Sequence, residues 1–185
     1  MREQFWEAGY GATSVDDLME ATGLGKGSLY GAFGDKRHLF LRVLDDYRAE
    51  RVAGVQQALA GPKPAWERLV ALVLAAADRA GTDDGRRGCL LVNSTAELKA
   101  RDPEVLARAR QTFGAIEDLL AGCLREAQHE GDLPASADPR ELARLLLAVL
   151  QGVEFLGKTG MDRAALRQIA EAALSTLPKV KRRRA

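Results

Sequence analysis

The chain is predicted to be all-α. Three observations carry this. Its composition leans on Ala, Leu, Arg and Glu, which are strong helix formers. Runs of alternating β-branched residues are absent, and apolar residues recur at helical spacing. With 185 residues the chain is long enough for one ordinary domain or two small ones. An apolar fraction of 46% against 29% charged can build a core and excludes a wholly disordered chain.

Met1 to Ala8 form a short first helix ahead of Gly9. Thr13 to Lys36 then read TSVDDLMEATGLGKGSLYGAFGDK. Thr13 and Ser14 stand three residues before Asp16 and Asp17, a capping-box arrangement. Val15, Leu18, Met19 and Thr22 fall at i, i+3, i+4 and i+7, the buried stripe of a two-turn helix. Gly23 is expected as a left-handed cap, with Leu24 plugging the corner. A second short helix starts near Lys26 and turns Leu29 and Phe33 inward. This leaves Lys26, Gly27, Ser28, Tyr30 and Gly31 on other faces. Two short helices joined by a tight glycine turn make a helix-turn-helix.

From Asp35, a cap, a longer helix carries Leu39, Phe40, Val43, Leu44 and Tyr47 and continues towards Ala60. Gly61-Pro62-Lys63-Pro64 punctuates the chain, and a helix with Trp66, Leu69, Val70, Val73 and Ala77 runs from there to Gly81. Asp102-Pro103-Glu104 opens another, through Phe113, Ile116, Leu120 and Cys123 to Gly131. Asp138-Pro139-Arg140-Glu141 opens the next. Its stripe of Leu142, Leu145, Leu146, Val149, Leu150 and Val153 is widened by Leu147, Phe155 and Leu156. A helix apolar on two sides must bury two sides, either centrally in one subunit or against a second copy together with the last helix. That last helix runs from Asp162 to Leu177, and Pro178 stops it.

The helix-turn-helix carries the functional reading. Its outer face has glycines that let a partner approach the backbone, Lys26 for phosphate, and Ser28 and Tyr30 hydroxyls for phosphate or base edges. Lys36 opposes the dipole of the helix it starts, which points to a phosphate partner. The same geometry also occurs as an αα-corner without DNA. Lys+Arg 27 against Asp+Glu 26 gives a net charge of +1, so any affinity for nucleic acid must come from local placement. Asp16, Asp17 and Glu20 are therefore expected to face sideways or behind.

Other classes are disfavoured. No apolar run is long enough to span a bilayer, and no apolar export signal follows Met1, so a cytoplasmic location and no membrane partner are expected. Cys89 and Cys123 have neither metal-ligand nor disulfide-framework spacing. His38 and His129 stand alone. No enzyme, metal or cofactor is expected.

Residues 5–40 resemble the DNA-binding domain of the TetR (tetracycline-repressor-like) family of bacterial regulators. In register are Phe5, Gly9-Tyr10, Thr13-Ser14-Val15, Ala21, Gly23-Leu24, Lys26-Gly27-Ser28-Leu29-Tyr30, Phe33, Lys36 and Leu39-Phe40. The resemblance implies a homodimer on a palindromic double-stranded DNA operator, most simply a repressor, with Thr13, Ser14, Lys26, Gly27, Ser28, Tyr30, Gly31 and Lys36 at the DNA. Two departures stand out. Gly31 and Ala32 replace residues that are often bulky in the family, and the first helix is a turn or two shorter than usual.

The resemblance further implies residues 1–48 as the DNA-binding domain, 49–178 as a ligand-binding and dimerisation domain, and 179–185 as a basic tail. A small-molecule inducer would sit among Trp66, Leu69, Val73, Val92, Asn93, Phe113, Ile116, Leu120, Leu150, Glu154 and Phe155, many of which also read simply as core. The segment Gly88 to Asn93 is similar to a motif in one branch of the family. Cys89 there reads either as a thiolate activated by Arg86 and Arg87 or as a small buried hydrophobe. The rival reading is a helical ligand-binding or scaffolding protein that has lost DNA binding, which salt-dependent, sequence-specific binding to a palindrome would exclude.

Overall fold

The computed structural model describes residues 1–98 and 102–180. Among them the regular elements are all helical: α1 (Arg2–Ala12), α2 (Val15–Thr22), α3 (Lys26–Phe33), α4 (Lys36–Leu59), α5 (Ala65–Ala80), α6 (Leu90–Leu98), α7 (Pro103–His129), α8 (Pro139–Lys158) and α9 (Arg163–Thr176), with a 3₁₀ turn at Gly85–Arg87. No helix among the described residues is long and apolar enough to cross a membrane. The basic tail beyond Val180 lies outside the described residues.

The helices start where the caps require. Asp138 accepts from the amides of Arg140 and Glu141, and Asp162 from that of Ala165. Asp102 Oδ1 accepts from the amides of Glu104 and Val105 at 3.2 Å each. Each cap satisfies amides that have no partner inside the helix.

Packing divides the chain into two units, Met1–Arg51 with Cys89–Thr112, and Val52–Gly88 with Phe113–Ala185. This differs from the expected division into 1–48 and 49–178, because residues 89–112 pack with the first unit. Polar contacts hold them there: Glu97 accepts from the amides of Tyr10 and Gly11, Arg37 pairs with Asp102, and Arg108 pairs with Asp45. The short helix α6 has no clear sequence signature, being only nine residues long.

In the first unit, Phe5, Leu18, Leu29, Leu39, Phe40, Leu44, Leu90 and Leu91 are buried to 2% exposure or less. Phe40 meets Phe5 edge-on at 5.1 Å and Tyr10 at 4.8 Å. This is the backing that the apolar stripe of α4 predicts. Leu24 does not plug the corner: it is 39% exposed, since Leu18 and Leu29 already fill the space between α2 and α3.

In the second unit, α5, α8, α9 and the later turns of α7 enclose one core that includes Trp66, Leu69, Val73, Leu120, Leu150 and Leu166. Each large apolar side chain buried there contributes about 1.5–3 kcal/mol. Asp78 joins α5 to α9 through Arg163 at 3.0 Å and Arg167 at 2.9 Å. The stripe of α8 splits in two. Leu146, Leu150 and Val153 face the core, Leu142, Val149 and Leu156 pack on it in part, and Leu145 and Phe155 remain 43% and 58% exposed.

Candidate nucleic-acid interface

The interface is built on α2, α3 and the start of α4. Ser14 caps α2 reciprocally with Asp17: its Oγ accepts from the Asp17 amide at 3.0 Å, and Asp17 Oδ2 accepts from the Ser14 amide at 2.7 Å. The Asp17 carboxyl accepts from the Ser14 hydroxyl, the larger effect, and from the Ser14 amide, and both hold it below the usual carboxylate range. The carboxylate is thereby committed to the cap.

Helix α2 ends at Gly23, whose φ of 68° is left-handed and whose amide bonds to Met19 O at 2.9 Å. The chain then turns into α3, which starts after Gly25 with no side-chain cap and no acidic residue in its first turn. Its first amides are thus offered outward, where helix geometry favours an anion. Lys26, Gly27, Ser28, Gly31 and Ala32 are exposed, while Tyr30 is half-buried and Leu29 is turned inward. Phe33 is only partly buried. The Lys26 ammonium lies 5.9 Å from the Tyr30 ring centre. A Cβ added at Gly27 or Gly31 would meet nothing within 4 Å, so the fold itself does not demand glycine at either position.

Asp35 caps α4 by accepting from the His38 amide at 2.8 Å. Lys36 follows, and it has internal anchors: its ammonium sits 4.6 Å over the Tyr10 ring and donates to Gly11 O at 3.5 Å. Tyr30, Phe33, Asp35 and Lys36 border one shallow dent floored by Leu18, Leu29 and Leu39. The ammonium keeps further protons to donate, so a fixed lysine and a fixed tyrosine stand beside the outward face of α3.

Thr13 departs from expectation. It is 1% exposed, and its hydroxyl donates to Gly9 O at 2.6 Å and Gln4 O at 3.2 Å. Burial and these bonds make it a tie between α1 and α2 rather than a surface group. Glu97 and Arg37, which help brace the unit, carry no sequence signal of their own, and Asp102 is legible only as a helix cap. The glycines flanking Tyr10 were the one available hint of a close approach.

The residues expected to meet a ligand are divided between the two units. Trp66, Leu69, Val73, Ile116, Leu120 and Leu150 belong to the core of the second unit, and Lys179 lies 4.8 Å over the Trp66 ring. Phe113 and Glu154 are partly buried in the same unit, whereas Phe155 is exposed. Cys89, Val92 and Asn93 pack in the first unit instead. Cys89 is 4% exposed and its sulfur accepts from the Tyr47 hydroxyl at 3.6 Å, while Arg86 and Arg87 pair with Asp83 and Asp84. The surroundings are those of a core thiol. Cys123 is buried too, and desolvation pushes its thiol up to about 11.

Comparison with known proteins agrees with this architecture. Residues 2–43 match the bacterial regulatory proteins of the tetR family, and residues 65–173 match the tetracyclin repressor-like C-terminal domain. The HTH-type transcriptional repressor ComR of Escherichia coli is 30% identical over 177 residues, 95% of this chain and 84% of that protein. A cysteine-substituted form of the TetR family transcriptional regulator CifR, solved with 26 bp double-strand operator DNA, superposes with a TM-score of 0.81. It is 30% identical, with 96% of this chain and 92% of that one covered. Reduced NemR of E. coli shares the fold at a TM-score of 0.85 and 19% identity, covering 97% of this chain and 95% of that one. With both halves of the chain matched and a capped helix-turn-helix presenting α3 outward, the chain belongs to the TetR family: it is a DNA-binding transcriptional regulator, not an enzyme.

Proposed function

We propose that the chain is a cytoplasmic repressor that binds a palindromic operator as a homodimer and is released by a small molecule received in its second unit. The observation that carries this is the outward face of α3, cleared of bulky side chains and flanked by Lys26, Ser14, Tyr30 and Lys36. On this reading α3 enters the major groove, where Ser28 and Tyr30 face base edges. Ser14, Lys26 and Lys36 meet phosphates and set the register.

The homodimer is supported by the second apolar side of α8. Leu145 and Phe155 are large, exposed and on one helix, which also carries the partly covered Val149 and Leu156. Two copies related by a twofold axis would bury that side against its own image. A palindrome then mirrors the protein's symmetry, with half-sites about one helical turn apart or a multiple of it. Release requires a ligand that favours one spacing of the two heads, since equal affinity for both would shift nothing.

The test is selection of duplexes from a random-sequence library by the full-length protein, followed by titration of the enriched duplex at several salt concentrations. The expected result is a palindromic consensus bound with a steep salt dependence by a dimer. Enrichment of no sequence over the library average would overturn the reading.

A further inference from the structure

We infer that Glu97 is a positioning residue for operator binding, acting through the Tyr10–Gly11 backbone on Lys36 and on the Ser14 cap. The inference rests on the assignment of Ser14 and Lys36 to phosphates. Glu97 lies in the last turn of α6. Its Oε2 accepts from the Tyr10 amide at 2.9 Å and its Oε1 from the Gly11 amide at 2.6 Å, so one carboxylate grips two successive peptide groups.

The backbone is shaped for that grip. Gly9 interrupts α1 with φ of 83°. A Cβ there would lie 2.6 Å from Glu97 Oε2, and one at Gly11 would lie 3.2 Å from Oε1. An L side chain at Gly9 would therefore be strained by its backbone and would strike the carboxylate. The glycines on either side of Tyr10 give Glu97 its access.

The opposite edge of the same strip holds the groups assigned to phosphate. Gly11 O accepts from the Lys36 ammonium at 3.5 Å, and Gly9 O accepts from the Thr13 hydroxyl at 2.6 Å. Residues 9–13 are thus pinned through their amides by α6 and through their carbonyls by Lys36 and Thr13. Ser14 follows at once as the cap of α2. Loosening the amide side frees the carbonyl side, and with it the placement of Lys36 and Ser14. Glu97 touches no DNA in this scheme, yet it decides how many phosphate contacts form.

The experiment compares the full-length wild type with Glu97→Gln, Lys36→Ala and the double variant on the selected duplex and on a random duplex. Glutamine keeps the shape but has one accepting oxygen, and it turns an NH₂ group towards the second amide. Glu97→Gln is expected to weaken binding roughly tenfold and to lower the salt slope by about one, the signature of a lost phosphate contact. The double variant is expected to lose less than the product of the two single losses, because the Lys36 contact is shared between them. Helicity and melting measured on the same samples keep the comparison among folded proteins. A wild-type salt slope in Glu97→Gln, or losses that multiply in the double variant, would overturn the inference. A wild type that selects no duplex would instead overturn the operator assignment on which the inference stands.

Discussion

Arg37 grips Asp102 with two guanidinium nitrogens, Nη1 to Oδ2 at 2.5 Å and Nη2 to Oδ1 at 3.0 Å, and so fastens the start of α4 to the cap of α7. Asp102 is 8% exposed, and Arg37 Nη2 also donates to Glu104 Oε2 at 2.6 Å. The carboxylate therefore has two tasks, since the oxygens that meet Arg37 include the one that accepts from the first amides of α7.

The two tasks can be separated. Asp102→Asn keeps a good capping side chain and loses the charge, and it is expected to cost about 1 kcal/mol. Asp102→Ala loses both and is expected to cost roughly 2 kcal/mol, less than a fully buried pair because Arg37 is partly solvated. The Arg37 hydrogen bonds, ahead of those from the amides, hold the Asp102 carboxyl below its usual value. A lowered folded-state value stabilises above the unfolded value of about 3.9, and this stability is lost as pH falls below it through the folded value. Denaturation midpoints from pH 6 down to about pH 3 should thus fall more steeply for wild type than for Asp102→Asn.

Lys36→Ala should weaken specific and random DNA alike and flatten the salt slope by about one unit. Tyr30→Ala should cost about 1–3 kcal/mol on the selected duplex and little on random DNA, as expected for a base-edge contact. Titration of both duplexes at several salt concentrations checks each. Unchanged affinity in both variants would remove the assigned face.

Gly31→Ala should change stability and binding in opposite directions. Its Cβ would meet nothing in the protein, so the substitution removes a helix penalty of up to about 1 kcal/mol and should raise the melting temperature. The same methyl group would stand between α3 and the groove, and operator affinity should fall. A variant that is both more stable and equally tight would show that DNA does not approach the backbone at Gly31.

Leu145→Glu and Phe155→Glu should give folded monomers, because both side chains are exposed in the single chain and the proposed dimer would bury them. Leu146→Glu should instead unfold the protein, since Leu146 is 0% exposed within the chain and a charge there has no solvent. Sedimentation and circular dichroism on the three variants distinguish the outcomes. A wild type that sediments as a monomer at micromolar concentration would remove the dimer.

Neither cysteine should react with a maleimide in the folded protein at neutral pH. Cys89 is buried under the Tyr47 hydroxyl, and Cys123 is buried with its thiol raised to about 11. Cys89→Ser should lower stability by roughly 1–2 kcal/mol through ordinary packing loss, with operator binding unchanged. Rapid labelling of Cys89 coupled to release of DNA would instead make it a sensor.

Most readings that depend on neighbouring residues are legible in the chain, the exposed Leu24 being an exception. Helical period, the Ser14–Asp17 capping box, the left-handed Gly23, the Asp138 and Asp162 caps and the inward Leu29 each follow from interactions spanning a few residues, which the sequence contains in full. So did the family, because the glycine turn and the Lys26 to Tyr30 run are themselves local. What needed the tertiary structure was every question of which group meets which across long stretches of chain. Over a shorter span, Thr13 and Ser14 are adjacent hydroxyls at one helix start, yet the packing that brings the carbonyls of Gln4 and Gly9 to Thr13 makes it a buried tie while Ser14 stays outside. The apolar width of α8 gave no means of telling Leu146, in the core, from Leu145, outside it, because helix period alone does not say where the neighbouring helices stop. In the sequence Glu97 is an ordinary surface charge and Asp102 a helix cap and nothing more. They became the braces of the DNA-binding unit only when folding brought the amides of Tyr10 and Gly11 to one and the guanidinium of Arg37 to the other. A carboxylate's role depends on its partners, and these partners lie scores of residues away in the chain.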